Sequence, residues 1–304
     1  MPSPNAINLK QLGLLEIVGS GAKELLQGQI TIDIEKVKLN YSLHGALCNI
    51  KGRIISSFIV TKSLDNEQGF WLIMSKDVLK KTQETLEKYS PFYKVSMEDI
   101  SLEWTYIGLK ELDLNNTLSQ FRFLKERNTE RKEHFIITKS LNSGYIIVNR
   151  ASQSIDIKPS NDSDIWDSMN ISSLNPEICL ETSEIYTPHE LNYHLNERID
   201  FTKGCYTGQE IVARMNYRAK TLPRIYKGRC SDTNLKLNMN ITEETKDETS
   251  QKGGKLGNII GLRVKGDKSD ILVSLKNSSS VDNHFLIGKN LIVKETGSSI
   301  SLKK

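Results

Sequence analysis

The residue with the clearest chemical potential is Cys205, which stands just before a predicted helix. The pattern Thr207-Gly208-Gln209-Glu210 is typical of a capping box and predicts a helix from Thr207 to about Arg218. The free N–H groups at a helix start stabilise a thiolate, and the cation of Lys203 acts in the same direction. We therefore expect a reactive thiol at Cys205. A buried structural cysteine is the alternative interpretation.

A hydrolytic role for this thiol would need a histidine base within reach. His189 and His194 lie on the preceding segment, where Thr187-Pro188-His189-Glu190 again has the capping-box pattern and predicts a helix to about Arg198. Only the fold decides whether either ring approaches Cys205. The remaining cysteines are predicted to be structural: Cys48, Cys179 and Cys230. The four cysteines form no Cys-x-x-Cys pair, so we expect neither a metal site nor a disulfide framework.

Positive charge is concentrated in residues 203–229. Seven Lys and Arg residues face one acidic residue, Glu210, while the whole chain has a net charge of only +4. The segment is therefore a candidate anion-binding surface, with a solvated cationic helix and strand as the alternative. Three of its cations could contact phosphates or carboxylates: Arg214, Arg218 and Lys220. Trp166 could stack on a flat heterocycle, although a lone Trp is more often part of a core.

The elements that must position these residues form two predicted regions. A length of 304 residues corresponds to about two domains, and a hydrophobic content of 38% excludes a wholly disordered chain. Strands, a helix and further strands predict an α+β region over 1–220, including a hairpin around Ile50-Lys51-Gly52. The stretch 115–132 is a candidate helix. Short strands predict a separate small all-β domain over 221–304, a sandwich or a barrel.

No stretch approaches the roughly 20 apolar residues that a membrane span requires. The first ten residues lack a basic region, and Glu16 interrupts the apolar run that follows, so no signal peptide is expected. The sequence therefore predicts a cytoplasmic protein.

Three segments together resemble a known family. Residues 203–210, KGCYTGQE, match the signature of the YgfZ family of folate-binding proteins linked to tRNA modification. Residues 26–33, LQGQITID, resemble that family's N-terminal LQGQ-x-T-x-D segment, and residues 48–53, CNIKGR, resemble its hairpin. The helix and strand of residues 77–97 resemble those that follow the hairpin, so the similarity reaches to about Lys220.

The resemblance implies a fold like that of the glycine cleavage T-protein, with two α+β domains and a C-terminal β-barrel around a central channel. It implies tetrahydrofolate or a derivative as ligand, and no permanently bound metal. It also implies support of iron–sulfur enzymes, including one that methylthiolates tRNA, and a link to the regulation of replication initiation. The family has no established turnover reaction. Two alternatives stay open: a tetrahydrofolate-dependent one-carbon transferase, and a direct tRNA-binding module using residues 203–229.

The resemblance also assigns roles to residues. Cys205 corresponds to the functional thiol, with Lys203 beside it, and the rest of the motif comprises Gly204, Tyr206, Thr207, Gly208, Gln209 and Glu210. Trp166 resembles a tryptophan implicated in folate binding, whereas Leu12 replaces a second such tryptophan and removes one aromatic wall. Arg214, with Arg218 or Lys220, is the expected contact of the folate glutamate tail. The T-protein's own motif is not reproduced at 203–210, so aminomethyl transfer is not supported.

Overall fold

The computed structural model describes residues 6–110, 127–217, 223–242, 255–275, 284–287 and 290–294. In chain order, the strands β1 to β16 of this part span Ala6–Asn8, Leu12–Gly19, Leu43–Cys48, Ile54–Lys62, Phe70–Ser75, Val95–Asp99, Trp104–Lys110, Thr129–Arg131, Phe135–Lys139, Gly144–Arg150, Arg224–Cys230, Asn240–Thr242, Lys255–Lys265, Lys268–Leu275, His284–Ile287 and Asn290–Lys294. The helices α1 to α5 span Ala22–Gln29, Lys76–Glu87, Ser90–Tyr93, Asp164–Ser172 and Gln209–Tyr217. Two five-stranded sheets and a closed barrel result, which confirms the predicted α+β class with its β-barrel.

The first sheet has the strand order β3-β4-β5-β2-β6, with neighbours antiparallel. The predicted hairpin is confirmed: β3 and β4 pair across a turn in which Gly52 has φ +67°. Helix α1 buries Leu25 and Leu26, and α2 buries Val78 and Leu79, so both helices cover the same apolar core.

The second sheet has the order β1-β7-β10-β9-β8, and its hairpin β9–β10 was expected from the sequence. The two sheets share an apolar core in which the rings of Trp71 and Trp104 meet edge to face, with centroids 4.6 Å apart. Helix α4, which the sequence analysis missed, packs Trp166 into this core. Of the candidate helix at 115–132, residues 115–126 lie outside the described part, and Thr129–Arg131 is a strand.

Strands β11 to β16 close a barrel in the order β11-β14-β13-β12-β15-β16. Arg263 on β13 joins it to α4, with Nε 2.6 Å from Asp164 Oδ1 and Nη2 2.7 Å from Oδ2. The expected domain boundary near residue 220 falls in 218–222, outside the described residues, so the division at that point stays a prediction. In the described part, no helix has both the length and the apolar character to cross a membrane.

The predicted helix from Thr187 to Arg198 is wrong. The capping-box contact exists, since Thr187 N–H donates to Glu190 Oε2 at 2.8 Å, but the chain continues as a series of turns. Asn192 and Glu197 have φ of +55° and +62°, values that interrupt a right-handed helix. The path instead buries Tyr193 and Arg198 completely. The capping box at Thr187–Glu190 is therefore present, but tertiary packing prevents the helix that it would begin.

Candidate functional site

The three signature segments meet at one place. Lys203 is almost fully buried, and its ammonium donates to the carbonyl oxygens of Gln27 at 2.6 Å and Ile30 at 2.7 Å. These carbonyls lie at the C-terminal end of α1, where helix carbonyls lack partners and a positive charge is favourable. Lys203 therefore attaches the 203–210 segment to the 26–33 segment.

Two further contacts strengthen this attachment. Thr207 N–H donates to Gly28 O at 3.2 Å, and the Thr207 hydroxyl donates to Gln29 Oε1 at 2.9 Å. The Thr207 side chain thus does not cap α5, which begins at Gln209. Glu210 instead forms an i,i+4 ion pair with Arg214 at 3.3 Å. The capping box predicted at Thr207–Glu210 is therefore wrong, although the helix itself is present.

Gly208 brings the motif against the hairpin of the third segment. Its φ is +83°, and a Cβ at this position would lie 2.4 Å from Asn49 O. On the other side of the contact, a Cβ on Gly52 would lie 3.0 Å from the side chain of Ile211. Because both backbones approach so closely, glycine is required on each side.

The turn that leads into the motif is held by Asp200. Its Oδ1 accepts from the N–H groups of Thr202 at 2.8 Å and Lys203 at 3.2 Å, and its Oδ2 pairs with Lys36. Partial burial acts to raise the pKa of Asp200, but the hydrogen bonds from Lys36 and Thr202 outweigh it and lower the pKa to about 2. The carboxylate is therefore ionised and keeps the turn rigid.

Cys205 is exposed on this rigidly held loop. The Lys203 ammonium bonds to the α1 carbonyls, and no hydrogen bond joins it to Cys205 among the described residues. Gly204 is also exposed, and a Cβ there would meet no atom within 4 Å. Tyr206 is buried, which raises its pKa above the usual value. The loop thus presents the thiol on an open surface.

The two histidines do not form a dyad with Cys205. The rings of His189 and His194 stack on each other with centroids 4.6 Å apart, and His189 also packs beside Phe201. Burial lowers the pKa of each to about 4. In the described part of the chain neither imidazole has a hydrogen bond to the thiol. A neutral stacked pair is a packing arrangement, so a hydrolytic Cys–His site is not supported.

The two candidate folate residues lie elsewhere but together. Trp166 and Leu12 line one cavity of about 170 Å³ between the two sheets, with apolar walls that include Phe58 and Ile146. The Trp166 ring lies against the backbone of β7, where a Cβ on Gly108 would be 2.6 Å from Cε3. The two positions thus line one cavity, and their role in folate binding stays a prediction. Cys205 and Arg214 are not among the residues that line this cavity.

Glu177 is one of the polar residues that line the cavity. Arg198 donates to Glu177 Oε1 at 2.8 Å, and Ser57 donates to Oε2 at 3.0 Å. Desolvation acts to raise the pKa of Glu177, but the Arg198 charge outweighs it and holds the pKa below the usual range. His44, also on the wall, has its pKa lowered to about 4 by desolvation and by Arg198. The cavity therefore contains an ionised carboxylate beside a neutral imidazole.

A second cavity of about 590 Å³ adjoins the first and extends to the barrel. Three side chains line both cavities: Asp167, Asn170 and Glu177. Burial raises the pKa of Asp167. We refer to these two adjoining cavities, which lie between the sheets and the barrel, together as the central channel.

The sequence analysis missed two residues that line this channel, Asp167 and Glu177, and it missed Arg198, which contacts Glu177. Asp167 follows Trp166 directly in the sequence, so its position beside the expected folate residue was an available signal. Glu177 and Arg198 gave no such signal, because they are 21 residues apart and only the fold pairs them. Glu177, like Asp167, lines both cavities.

The basic segment 203–229 is not a free cationic surface in the described part. Lys203 is buried, Arg214 pairs with Glu210, and Arg229 pairs with Asp270 at 2.6 Å. Arg218 and Lys220 lie outside the described residues. This arrangement gives no support to a direct tRNA-binding surface built from these cations.

The architecture matches that of a solved enzyme. The structure of glycine cleavage system aminomethyltransferase T from Bartonella henselae aligns with 95% of this chain and 84% of its own, with a TM-score of 0.65 and 13% identity. The chain is 26% identical over 265 residues to the tRNA-modifying protein YgfZ of Photobacterium profundum, covering 84% of this chain and 79% of that protein. It is 30% identical over 213 residues to an uncharacterized protein of Haemophilus influenzae, covering 70% of this chain and 69% of that protein. No family model matches the chain.

Two sheets and a barrel around a channel define a protein with the aminomethyltransferase T fold. The relatives found by sequence comparison identify a more specific group of proteins within this fold class. The chain is homologous to tRNA-modifying YgfZ proteins, with 25–28% identity over most of its length.

Proposed function

We propose that this protein binds a reduced folate in its central channel and supports tRNA modification through iron–sulfur enzymes. The observation that carries the folate proposal is that Trp166 and Leu12, far apart in sequence, line the same cavity. The tRNA proposal is supported by the names of the relatives, which are tRNA-modifying proteins. A role in regulating replication initiation belongs to the same family-based proposal.

The smaller cavity suits the head of a folate. A pterin is a flat heterocycle whose ring N–H and neighbouring amino group form a pair of donors. Trp166 and the apolar wall offer a surface for the flat ring, and the two oxygens of Glu177 offer acceptors for the donor pair. Arg198 lowers the pKa of Glu177, and the carboxylate already accepts hydrogen bonds from Arg198, Asn175 and Ser57, so the pterin donors would share or displace these protein donors.

The larger cavity would hold the remainder of the folate. At about 590 Å³ it is within the usual range of about 300–1,000 Å³ for small-molecule sites. Lys236 on its wall is a cation available to a glutamate carboxylate. Arg214 was the expected tail contact, but it is not among the lining residues of either cavity, so Lys236 takes this place in the proposal.

Cys205 would act at the surface rather than in the channel. Its thiol is exposed beside Gly204, whose open backbone leaves room for a partner to approach. A thiolate is a soft ligand for iron or sulfur species, but one cysteine cannot hold a cluster alone. The proposal therefore requires a partner protein or a thiol cofactor at this surface.

Calorimetric titration with tetrahydrofolate and its 5-formyl derivative tests the folate proposal. We expect micromolar binding by the wild type, with about tenfold or greater weakening in Trp166→Phe and in Glu177→Gln. Leu102→Ala is the control, because this side chain is 87% exposed and does not line the channel. If the folded wild type binds neither compound, the folate proposal is wrong.

Complementation tests the tRNA proposal separately. In a bacterial strain lacking its own family member, this chain should restore methylthiolation of tRNA, and Cys205→Ala should not. Cys230→Ala is the matched control, because that thiol is buried in the barrel. Full restoration by Cys205→Ala would remove the thiol from the proposal. Retardation of tRNA by the pure protein at low salt would instead favour direct RNA binding.

A further inference from the structure

Helix α4 separates two cavities. Trp166, Asp167 and Asn170 face the central channel. The opposite face of the helix, with Ser168 and Ser172, lines an outer cavity of about 490 Å³. The spacing follows from 3.6 residues per turn, which places residues four apart on one side. The outer cavity is therefore distinct from the proposed folate site.

The walls of the outer cavity are positively charged. Lys110 at the end of β7 contributes one cation, and Arg263 and Lys265 on β13 contribute two. Asp164 is the one carboxylate among its described lining residues. The lining thus has two positive charges in excess.

The three cations are not equivalent. Arg263 contacts both Asp164 and Asp270, so its charge is compensated by two acids. Lys265 shares Asp164 with Arg263, at 2.8 Å, and its side chain is 67% exposed. Lys110 makes no ion pair with any described residue. Arg263 therefore has a structural role, because it joins Asp164 and Asp270. The ammonium groups of Lys110 and Lys265 are the ones that could contact a ligand.

The helix face adds neutral donors and an apolar surface. The hydroxyls of Ser168 and Ser172 have no hydrogen-bond partner in the described part of the structure, and one helical turn separates them. Ile165 and Met169 lie on the same face and are partly buried. A ligand here would meet cations and hydroxyls on one side and apolar carbon on the other.

We propose that the outer cavity binds a small phosphorylated molecule. Lys110 and Lys265 would neutralise its phosphate, Ser168 and Ser172 would donate to phosphate oxygens, and its organic part would lie against Ile165 and Met169. Phosphate needs several donors and an excess of positive charge, and this lining supplies both. The volume is within the range of small-molecule sites. The cations surround a cavity rather than following a ridge, so a small ligand fits better than a nucleic-acid backbone.

Calorimetric titration with inorganic phosphate, adenosine monophosphate and adenosine tests the proposal on the full chain. We expect binding of the monophosphate, weaker binding of inorganic phosphate and none of adenosine. Lys110→Gln and Lys265→Gln should each weaken monophosphate binding about tenfold or more. Lys268→Gln is the matched control, since Lys268 is the cross-strand neighbour of Lys265 but does not line the cavity.

Several results would overturn the proposal. Equal binding of adenosine and its monophosphate would show that the phosphate is not recognised. Equal weakening by Lys268→Gln would indicate a diffuse charge effect, and the absence of binding by the folded wild type would exclude the site. If only an oligoribonucleotide bound, with dependence on Lys110 and Lys265, the surface would be an RNA contact instead. Thermal unfolding of each variant separates lost binding from lost folding. The folate titration does not depend on these residues, so the two proposals fail independently.

Discussion

The ammonium nitrogen of Lys203 lies 2.6 Å from the carbonyl oxygen of Gln27, so one signature segment binds the C-terminal end of the helix that lies partly in another. The same nitrogen lies 2.7 Å from the carbonyl oxygen of Ile30. These two contacts, and the close approach of Gly208 to Asn49, explain why three separated motifs occur together in one chain. These contacts hold in place the loop on which Cys205 is exposed.

Lys203→Met should lower the free energy of unfolding by about 1–3 kcal/mol, because it leaves two buried carbonyl oxygens without a donor. Burial lowers the pKa of Lys203 to about 8, whereas the unfolded chain retains a value near 10.5. Between these values the unfolded state binds more protons, so this lysine makes the wild type gain stability as the pH rises from 8 to 10.5. Urea unfolding at several pH values should show this gain relative to Lys203→Met. Parallel pH curves for the two proteins would contradict the burial of the ammonium.

Gly208→Ala should destabilise the fold, whereas Gly204→Ala should not. At residue 208 the positive φ and the contact with Asn49 O both exclude a Cβ, and we expect a loss of about 2 kcal/mol or more. At residue 204 a Cβ would meet nothing within 4 Å. Thermal unfolding of the two variants measures the difference. Equal melting temperatures would show that the approach of the motif to the hairpin is looser than described.

Native alkylation with iodoacetamide should modify Cys205 first. Its thiol is exposed, whereas Cys48 is buried and burial raises the pKa of that thiol to about 12. Cys179, partly exposed, should follow Cys205, and Cys230 should react only after unfolding. Peptide mass spectrometry over a time course gives the order. Faster labelling of Cys48 than of Cys205 in the folded protein would contradict the packing of the motif.

The stacked pair His189 and His194 should make the protein sensitive to mild acid. Burial lowers the pKa of both to about 4, against 6.5 for a free histidine. Between pH 6.5 and 4 the unfolded state binds more protons, so the free energy of unfolding falls as the pH falls through this window. We expect a loss on the order of 1–2 kcal/mol per histidine at pH 5.

The control for the acid effect is a histidine outside this pair. A His189→Phe, His194→Phe double variant should show a flatter dependence of stability on pH between 6.5 and 4 than the wild type. His134→Gln, in the turn before β9, should keep the wild-type dependence. If the double variant loses stability as steeply as the wild type, the acid sensitivity arises elsewhere.

The sequence by itself determined the family, the α+β class with its barrel, and the local elements whose signals are short-range. The hairpin at Gly52 and the helix after Gly208 are examples, because turn chemistry and periodicity act within a few residues. The same local signals failed at 187–198, where a correct capping box leads into turns. There the burial of Tyr193 and Arg198 outweighs helix propensity.

Only the tertiary structure decided which charges meet. In the fold, the Lys203 ammonium contacts carbonyl oxygens at the end of α1 rather than Cys205. Glu177 in the channel wall pairs with Arg198. It also placed Trp166 with Leu12 and left Cys205 and Arg214 outside their cavity. Such pairings depend on long-range packing, because a buried charge must find a partner wherever the fold provides one, and no local pattern in the chain encodes that partner.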